Sequence, residues 1–377
     1  MPFIETSIMS QKREFVRLAS AADANLSELC RRYGISRQTG HKLLKRYAAS
    51  GEAGLEEQSR KPHSSPRRSS DAMEAAVLLL RAEHPCWGGR KIAARLKALG
   101  QEGVPSASTV TAILRRHDRL GPGCSNGQAA FVRFEHEAPN RLWQMDFKGH
   151  FAAGSGRCHP LTVLDDHSRF SLCLAACADE RGETVQSCLT ATFRRYGLPD
   201  RMTMDNGAPW GDGPDTPYTP LTVWLMRLGI KVGHSRPYHP QTQGKDERFH
   251  RSLKAEVLTG RSFCDLAECQ QAFDHWRTVY NEERPHEALN LMPPICRYQP
   301  AIRSFPEILP TFDYAPDDHV RKVQDKGWIS FKGHSFKLPK AFKGQKIAIR
   351  PTDQDGLWKV WFGTQALTQV DLHERLR

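Results

Sequence analysis

The sequence predicts a multidomain protein with an all-α N-terminal region, an α/β centre of mixed strand direction and a small all-β C-terminal domain. Apolar residues have helical spacing in the first part of the chain. Strand-like runs that alternate with helices begin at Arg141, and strand alternation returns near Asp318. A chain of 377 residues is also too long for one ordinary domain. The expected domains span residues 10–57, 71–120, 136–300 and 318–377.

The first domain has the pattern of a helix-turn-helix unit. Phe15 and Leu29 mark two helices, "YGISRQTG" supplies a turn at Gly34 and a cap at Ser36, and Leu43 belongs to a third, basic helix. A recognition helix at this place exposes polar and basic side chains to DNA. These side chains are Arg37, Gln38, His41, Lys42 and Lys45. A small helical bundle with a solvated face is the alternative from the residues alone.

A second helical unit follows a linker. "QSRKPHSSPRRSS" (58–70) is basic and rich in Ser and Pro, which is typical of a linker without a core of its own. "WGGRKIAARLKALG" and "VPSASTVTAILRRHDRL" then predict two helices of another helix-turn-helix unit. Its basic side chains available to DNA phosphates are Arg90, Lys91, Arg115 and Arg116.

Three acids stand out in the α/β centre. Asp146 lies in the strand-like run "WQMDFKG", where Trp143 and Met145 occupy one face and Asp146 the other. Asp205 ends the strand-like run in "MTMDNG", and ligand-binding groups favour such carboxyl ends of strands. Glu247 lies near the start of the helix expected in "QTQGKDERFHRSLKAE". For each acid taken alone, a solvated or turn-capping role is the commoner one.

The helix that carries Glu247 separates two adjacent acids. At about 100° per residue, Asp246 falls on the apolar side with Phe249, whereas Glu247 heads the opposite face with Arg251 and Lys254. This face is explained either by ordinary ion pairs one turn apart or by a metal ligand beside two phosphate contacts. The residues alone leave both explanations open.

The C-terminal segment 318–377 predicts a small β domain of barrel type, because "WISF", "KIAIR" and "LWKVWF" read as short strands with Gly and Asp turns between them. We expect Trp328, Trp358 and Trp361 to pack in its core.

Composition indicates a polyanionic partner. The formal net charge is +12 and the isoelectric point about 9.3. Residues 1–120 hold 21 Lys and Arg against 12 Asp and Glu, a net of +9, whereas residues 141–257 hold 15 against 13, a net of +2. A central region that keeps its acids while meeting a polyanion is unlike a simple binding module.

Neither an export signal nor a membrane span is expected from the sequence. The ten cysteines form no Cys-x-x-Cys pair, so a structural zinc site has no support and reduced thiols are expected. The predicted location is cytoplasmic.

Three segments carry a resemblance. "WQMDF", "MDNG" and "PYHPQTQGKDERFHRSLKAE" resemble the three signatures of insertion-sequence transposases of the DDE superfamily, whose catalytic core is similar to that of retroviral integrases. The order is the same, and the paired helix-turn-helix units are similar too. One departure is the 41-residue separation of Asp205 and Glu247, which is wider than in retroviral relatives. The excess falls in "GAPWGDGPDTPYTP" and predicts a longer loop.

The resemblance implies an RNase H-like fold with a five-stranded mixed sheet. It further implies that Asp146, Asp205 and Glu247 are the catalytic residues and hold two Mg²⁺ ions, with Mn²⁺ as a substitute. Asp146 would be shared by both ions. Asn206 would shape the active-site loop, and Arg251 and Lys254 would hold DNA phosphates.

The implied function is that of a transposase that binds terminal inverted repeats, cleaves DNA 3′ ends and transfers them into target DNA. The implied partners are double-stranded DNA and further copies of the chain, at least a dimer, with no membrane and a nucleoid-associated location. A DNA-binding regulator or inactive transposase relative is the alternative from another class. A second alternative is an RNase H-like nuclease that cuts without strand transfer.

Overall fold

The computed structural model describes residues 7–57, 68–120, 135–211, 217–234 and 244–373, and the chain divides into the compact units Met1–Arg68 and Ser69–Arg377. Most of the predicted linker, residues 58–67, lies outside the described residues. So do residues 374–377 of the predicted C-terminal domain. None of the helices in the described ranges has the length and apolar character needed to cross a bilayer.

The first unit is the predicted helix-turn-helix. Its helices within residues 7–57 are α1 (Ile8–Ala19), α2 (Leu26–Arg32) and α3 (Arg37–Ser50). The side chain of Ser36 accepts a hydrogen bond from the Thr39 amide and caps α3, as its sequence position indicates. A Cβ at Gly40 would lie 2.6 Å from the Cys30 sulfur, so a glycine at this position lets α3 approach α2 closely.

The second unit begins with another bundle. Its helices are α4 (Asp71–Glu83), α5 (Gly89–Ala98) and α6 (Ala107–Arg116). Val77, Ile92 and Ile113 form the centre of its apolar core. The carboxylate of Glu74 is buried beneath α6 and pairs with Arg116 and His117.

The centre of the chain is a mixed sheet. Its strands within the described residues are β1 (Trp143–Phe147), β2 (Phe151–Ala153), β3 (Gly156–Asp165), β4 (Ser171–Cys177), β5 (Arg201–Met204) and β6 (Lys231–His234). Strands β4, β3, β1, β5 and β6 lie side by side in that order, and the short β2 pairs with the start of β3. Pairing is antiparallel from β4 to β1 and parallel from β1 to β6, which confirms the predicted mixed sheet.

Helices cover both faces of this sheet. They are α7 (Gly182–Tyr196), α8 (Pro220–Arg227), α9 (Gly244–Leu253) and α10 (Leu266–Thr278). Trp143 and Met145 of β1 pack in one apolar cluster with α7 and α8, whereas Leu164 and Leu174 pack on the other side with α9 and α10. Alternation along the strands thus sends successive side chains into two different cores.

The C-terminal domain is all-β, as predicted. Its strands in the described residues are β7 (His319–Lys322), β8 (Trp328–Phe331), β9 (His334–Lys337), β10 (Lys346–Pro351), β11 (Leu357–Phe362) and β12 (Gln365–Asp371). Its apolar residues continue the cluster of α7 and α8. Gln365 hydrogen-bonds both backbone groups of Val232 at 3.0 Å, so this domain covers the edge strand β6.

Two expectations for this domain change. The predicted closed barrel is not confirmed, because the described strands form an open sheet in the order β12-β11-β10-β7 and a separate hairpin of β8 and β9. The chain turns at Gly327 between β7 and β8, which interrupts a continuous ladder. The prediction that Trp328 packs in the core is wrong. This side chain is 44% exposed, because Ile329 and Phe331 take the inward positions of β8.

Candidate active site

Asp146 and Asp205 lie on neighbouring parallel strands. Strand β1 pairs with β5 in the register Trp143↔Met202 and Gln144↔Thr203. The same offset continued two residues further sets Asp146 beside Asp205, where both strands reach their carboxyl ends. Asp205 is held there by the Gly207 amide, which donates to its Oδ1 at 3.1 Å. The two acids that the sequence singled out on separate strands therefore meet at one sheet edge.

Helix α9 separates Asp246 from Glu247 as the helical spacing predicts. Glu247 is exposed, whereas Asp246 is 1% exposed and lies on the buried side with Phe249 and Leu253. Neither carboxyl oxygen of Asp246 has a hydrogen-bond partner among the described residues. Burial, and then the charges of Asp146 and Asp166, raise the pKa of Asp246 well above its usual value. Glu247 is therefore the acid of this pair that faces outward.

A hydrogen-bonded link sets α9 against β1. The Thr162 hydroxyl donates to the Asp146 carbonyl at 2.9 Å, so Nε2–H of His250 is the donor in its 2.9 Å contact to that hydroxyl. Burial, together with the charge of Lys148, lowers the pKa of His250 to about 4, so this imidazole is neutral near pH 7. His250 lies one turn after Glu247, and the link thus fixes the helix that carries the third acid.

The carboxylates crowd one another. Burial, Asp205 and, to a lesser extent, Glu180 and Glu247 raise the pKa of Asp146 to about 7, although the Phe147 amide opposes the rise. Burial and Glu180 also raise the pKa of Asp205, against the Gly207 amide and His234. Acids on three separate elements therefore contribute negative charge around Asp146.

Glu180 is a neighbour that the sequence reasoning missed. It lies between β4 and α7, is half-buried, and its Oε1 lies 2.8 Å from Nδ1 of His159. Its charge acts on both Asp146 and Asp205. No local pattern marks it, because only the order β4-β3-β1 brings the end of β4 toward the end of β1.

The donor set suits hard divalent cations. Carboxylate oxygens are the ligands that Mg²⁺ prefers, and a cation offsets the repulsion that raises the pKa of Asp146. Among the described residues no three His, Cys, Asp or Glu side chains converge on one point that could hold an ion.

The other site residues predicted in the α/β centre differ in their exposure to solvent. Arg251 and Lys254 are exposed, and Asn206 is half-buried in the loop after β5. Lys254 begins a π-helical turn (Lys254–Leu258) that continues α9, so the regular helical angle ends before it. Burial and the charge of Lys254 lower the pKa of Lys148. Lys254 therefore faces the strand end at Lys148.

Helix α3 presents every predicted contact of the first helical unit to solvent. The side chains concerned are all exposed: Arg37, Gln38, His41, Lys42 and Lys45. None forms an ion pair with residues in the described part of the chain.

The predicted contacts of the second helical unit are less available. Arg90 forms a 3.3 Å ion pair with Glu287 of the centre, and Arg116 pairs with buried Glu74. Burial and the charge of Arg284 lower the pKa of Lys91 to about 8. Arg115 is exposed on α6.

Comparisons with protein families cover most of the chain. A helix-turn-helix domain matches residues 11–63 and a homeodomain-like domain residues 39–114. The integrase core domain matches residues 136–240 and 228–294. The C-terminal domain of the IS481 family transposases matches residues 318–376.

Individual relatives cover part of the chain. A protein of insertion element IS407 from Burkholderia multivorans is 28% identical over 183 residues, 48% of this chain and 62% of that protein. A protein of insertion element IS476 from Xanthomonas euvesicatoria is 30% identical over 156 residues, 41% of this chain and 43% of that protein. The matched regions thus span about half the length of these relatives.

A solved structure, the simian T-cell lymphotropic virus intasome in complex with a PP2A regulatory subunit, aligns over 78% of this chain and 99% of its own matched chain. Its TM-score is 0.37 and its sequence identity 16%. The domain matches, in the order helix-turn-helix, integrase core and IS481-type C-terminal domain, make the chain similar in its domain order to insertion-sequence transposases with an integrase-like core.

Proposed function

We propose that the chain is a DDE transposase. It binds the terminal inverted repeats of its element and catalyses Mg²⁺-dependent cleavage of DNA 3′ ends and their transfer into target DNA. One observation carries this proposal: Asp146 and Asp205 meet at one sheet edge, and both Glu247 and Glu180 act on the same carboxyl group. The strand order, antiparallel from β4 to β1 and then parallel, supports an RNase H-like arrangement of the core.

Three acidic side chains would bind the metal ions. Asp146 would contribute to both of two Mg²⁺ ions, and Asp205 and Glu247 would contribute to one each, with Mn²⁺ as a substitute. Such cations would offset the negative charge on the entering and leaving oxygens of the phosphodiester. Because Thr162 and His250 fix α9 against β1, Glu247 is held toward Asp146 before DNA arrives.

The reaction has two displacements at phosphorus. A water oxygen forms a bond to the phosphorus at the element's end while the bond from phosphorus to the 3′ oxygen breaks, which leaves a 3′-hydroxyl. That hydroxyl oxygen then attacks a target phosphorus, and the target's own 3′ oxygen departs. No protein nucleophile is needed, so no Tyr or Ser is assigned to the chemistry.

The helical units supply the DNA recognition. Helix α3 reads the terminal repeat in the major groove with its exposed polar face. Arg251 and Lys254 hold backbone phosphates beside the carboxylates, and Asn206 shapes the loop after β5. Because two DNA ends must be joined to one target, the active form contains at least two copies of the chain. A nucleoid-associated place in the cytoplasm fits these partners.

The adjacent acids of α9 provide the test. We expect Glu247→Gln to abolish both cleavage and strand transfer of labelled end DNA in Mg²⁺. We expect Asp246→Asn to retain most of both, because its carboxyl group is buried and is not exposed to a substrate. Metal-free binding of end DNA should be the same in both variants.

Equal loss of activity in the two variants, or activity that survives Glu247→Gln, contradicts the assignment of the acids. End binding by the wild type without any cleavage in Mg²⁺ or Mn²⁺ favours the alternative of a DNA-binding regulator.

A further inference from the structure

A cleft of about 290 Å³ opens at the end of β1, between Lys148 and Lys254. Lys148 and Gly149 lie on one side of it and Lys254 on the other, while Phe151, Pro160 and Leu258 supply apolar walls. The cleft is small for a ligand pocket, so it suits one compact group rather than a large molecule.

The two lysines of this cleft lack a counter-charge. Neither forms an ion pair with any acid in residues 135–211, 217–234 or 244–373. The charged neighbour that acts on Lys148 is Lys254 itself, and both side chains line the same cleft. Two like charges that face one cavity oppose each other until an anion lies between them.

The cleft is attached to the elements that carry the acids. Lys148 comes two residues after Asp146, directly beyond β1, and Lys254 follows Glu247 by seven residues along α9. An anion bound between the lysines therefore lies close to the proposed reaction centre. The apolar walls are suited to the sugar that adjoins a backbone phosphate.

We propose that this cleft is a phosphate seat, in which Lys148 and Lys254 together bind one backbone phosphate of the DNA next to the bond that is cut. The proposal rests on the proposed function and adds to it the residue Lys148, the cleft and the sharing of a single phosphate. The two free oxygens of a phosphodiester allow one to each ammonium group. Binding at this seat sets the position of the DNA strand along its own length, so that the neighbouring phosphorus lies at the carboxylates.

The test compares Lys148→Gln, Lys254→Gln and the double variant in the full-length chain. Binding of a duplex that ends in the terminal repeat is measured without Mg²⁺ between about 50 and 200 mM KCl, where each phosphate contact contributes about 0.9 to the log–log salt slope. Each single variant should lower the slope by about 0.9, and the double variant by no more than either single one. Lys231→Gln is the matched control, because Lys231 is exposed at the opposite end of β6.

Two results overturn the seat. Slopes for Lys148→Gln equal to those of the wild type and of Lys231→Gln remove Lys148 from the DNA interface. Additive losses of about 1.8 in the double variant indicate two separate phosphates instead of one.

Three further measurements separate this inference from other causes. Lys148→Arg should restore the slope, because it keeps the charge. The thermal midpoint of DNA-free Lys148→Gln should be unchanged or raised, because the repulsion from Lys254 is lost, whereas a lowered midpoint indicates a structural role and overturns the proposal. Inorganic phosphate at equal ionic strength should not displace the duplex from the wild type more than chloride does, and selective displacement indicates a seat for free phosphate instead. Failure of the wild type to bind or cut end DNA defeats the proposed function itself.

Discussion

The two helical units share one pattern but present their basic residues differently. In the first unit, α3 exposes Lys42 and Lys45 to solvent. In the second unit, the cations of α5 are directed at the catalytic core: Arg95 pairs with Glu283, and Arg90 pairs with Glu287 at 3.3 Å. The same kind of sequence therefore provides a solvent-exposed basic face in one unit and a protein contact in the other.

Further contacts anchor the second helical unit, α4 to α6, to the α/β core. The thiol of Cys86 donates to the carbonyl of Ala255 at 3.3 Å, and Val279 packs against the apolar core of α4 to α6. Glu256, near Lys91, is itself held by Arg284 at 3.1 Å. Because these contacts hold the bundle of α4 to α6 against the core, α6 and its exposed Arg115 have a fixed position relative to the core. The comparison teaches that positive charge on a helix is available to a nucleic acid only where the fold leaves it unpaired.

The largest expected effect is on DNA binding by α3. Lys42→Glu with Lys45→Glu should weaken binding of end DNA at least about a hundredfold in 100 mM salt, because two phosphate contacts become repulsive. Fluorescence anisotropy with a labelled duplex measures this. Arg13→Glu with Arg17→Glu on α1 makes the same change in net charge and should reduce affinity far less. Equal losses in the two double variants would show that net charge, and not the α3 face, determines binding.

The second effect concerns the anchoring of α5. Arg95→Glu should weaken the contact by about 2 kcal/mol, because its half-buried partner Glu283 then faces another acid. Amide hydrogen exchange in α5 should accelerate about 30-fold. Adding Glu283→Arg should restore protection, and Lys97→Glu, exposed on the same helix, should leave it unchanged. No acceleration in Arg95→Glu would mean that the ion pair does not hold the unit.

Local signals were sufficient for much of the fold and for part of the site. Ser36 caps α3 through bonds within one turn, and helical spacing alone separated Asp246 from Glu247. Such features depend on neighbours in the sequence. Asp146 and Asp205 were chosen for their strand positions, although only the register between β1 and β5 brings them together.

Features that depend on contacts between residues far apart in the chain could not be predicted from the sequence. Glu180 joins the acids because β4 lies beside β3, and Lys148 faces Lys254 across a cleft formed by two elements. The pairing of α5 with the core likewise depends on tertiary contacts between residues almost 200 positions apart. The strand pattern predicted β8, β10 and β11 but not whether the sheet closes, because closure is set by which edges pair.

The smallest effect distinguishes Lys91 from its neighbours on α5. Burial lowers its pKa in the folded chain to about 8, below the usual 10.5, so the unfolded chain binds more protons between these values. Stability should therefore rise as pH increases from about 8 toward 10.5, and the charged Lys91 is unfavourable at pH 7. Lys91→Met should raise stability at pH 7 by about 1 kcal/mol, with the advantage shrinking by pH 10. Urea unfolding at both pH values measures it, with Lys97→Met as the control. A constant difference at both pH values would show that Lys91 acts through packing and not through its charge.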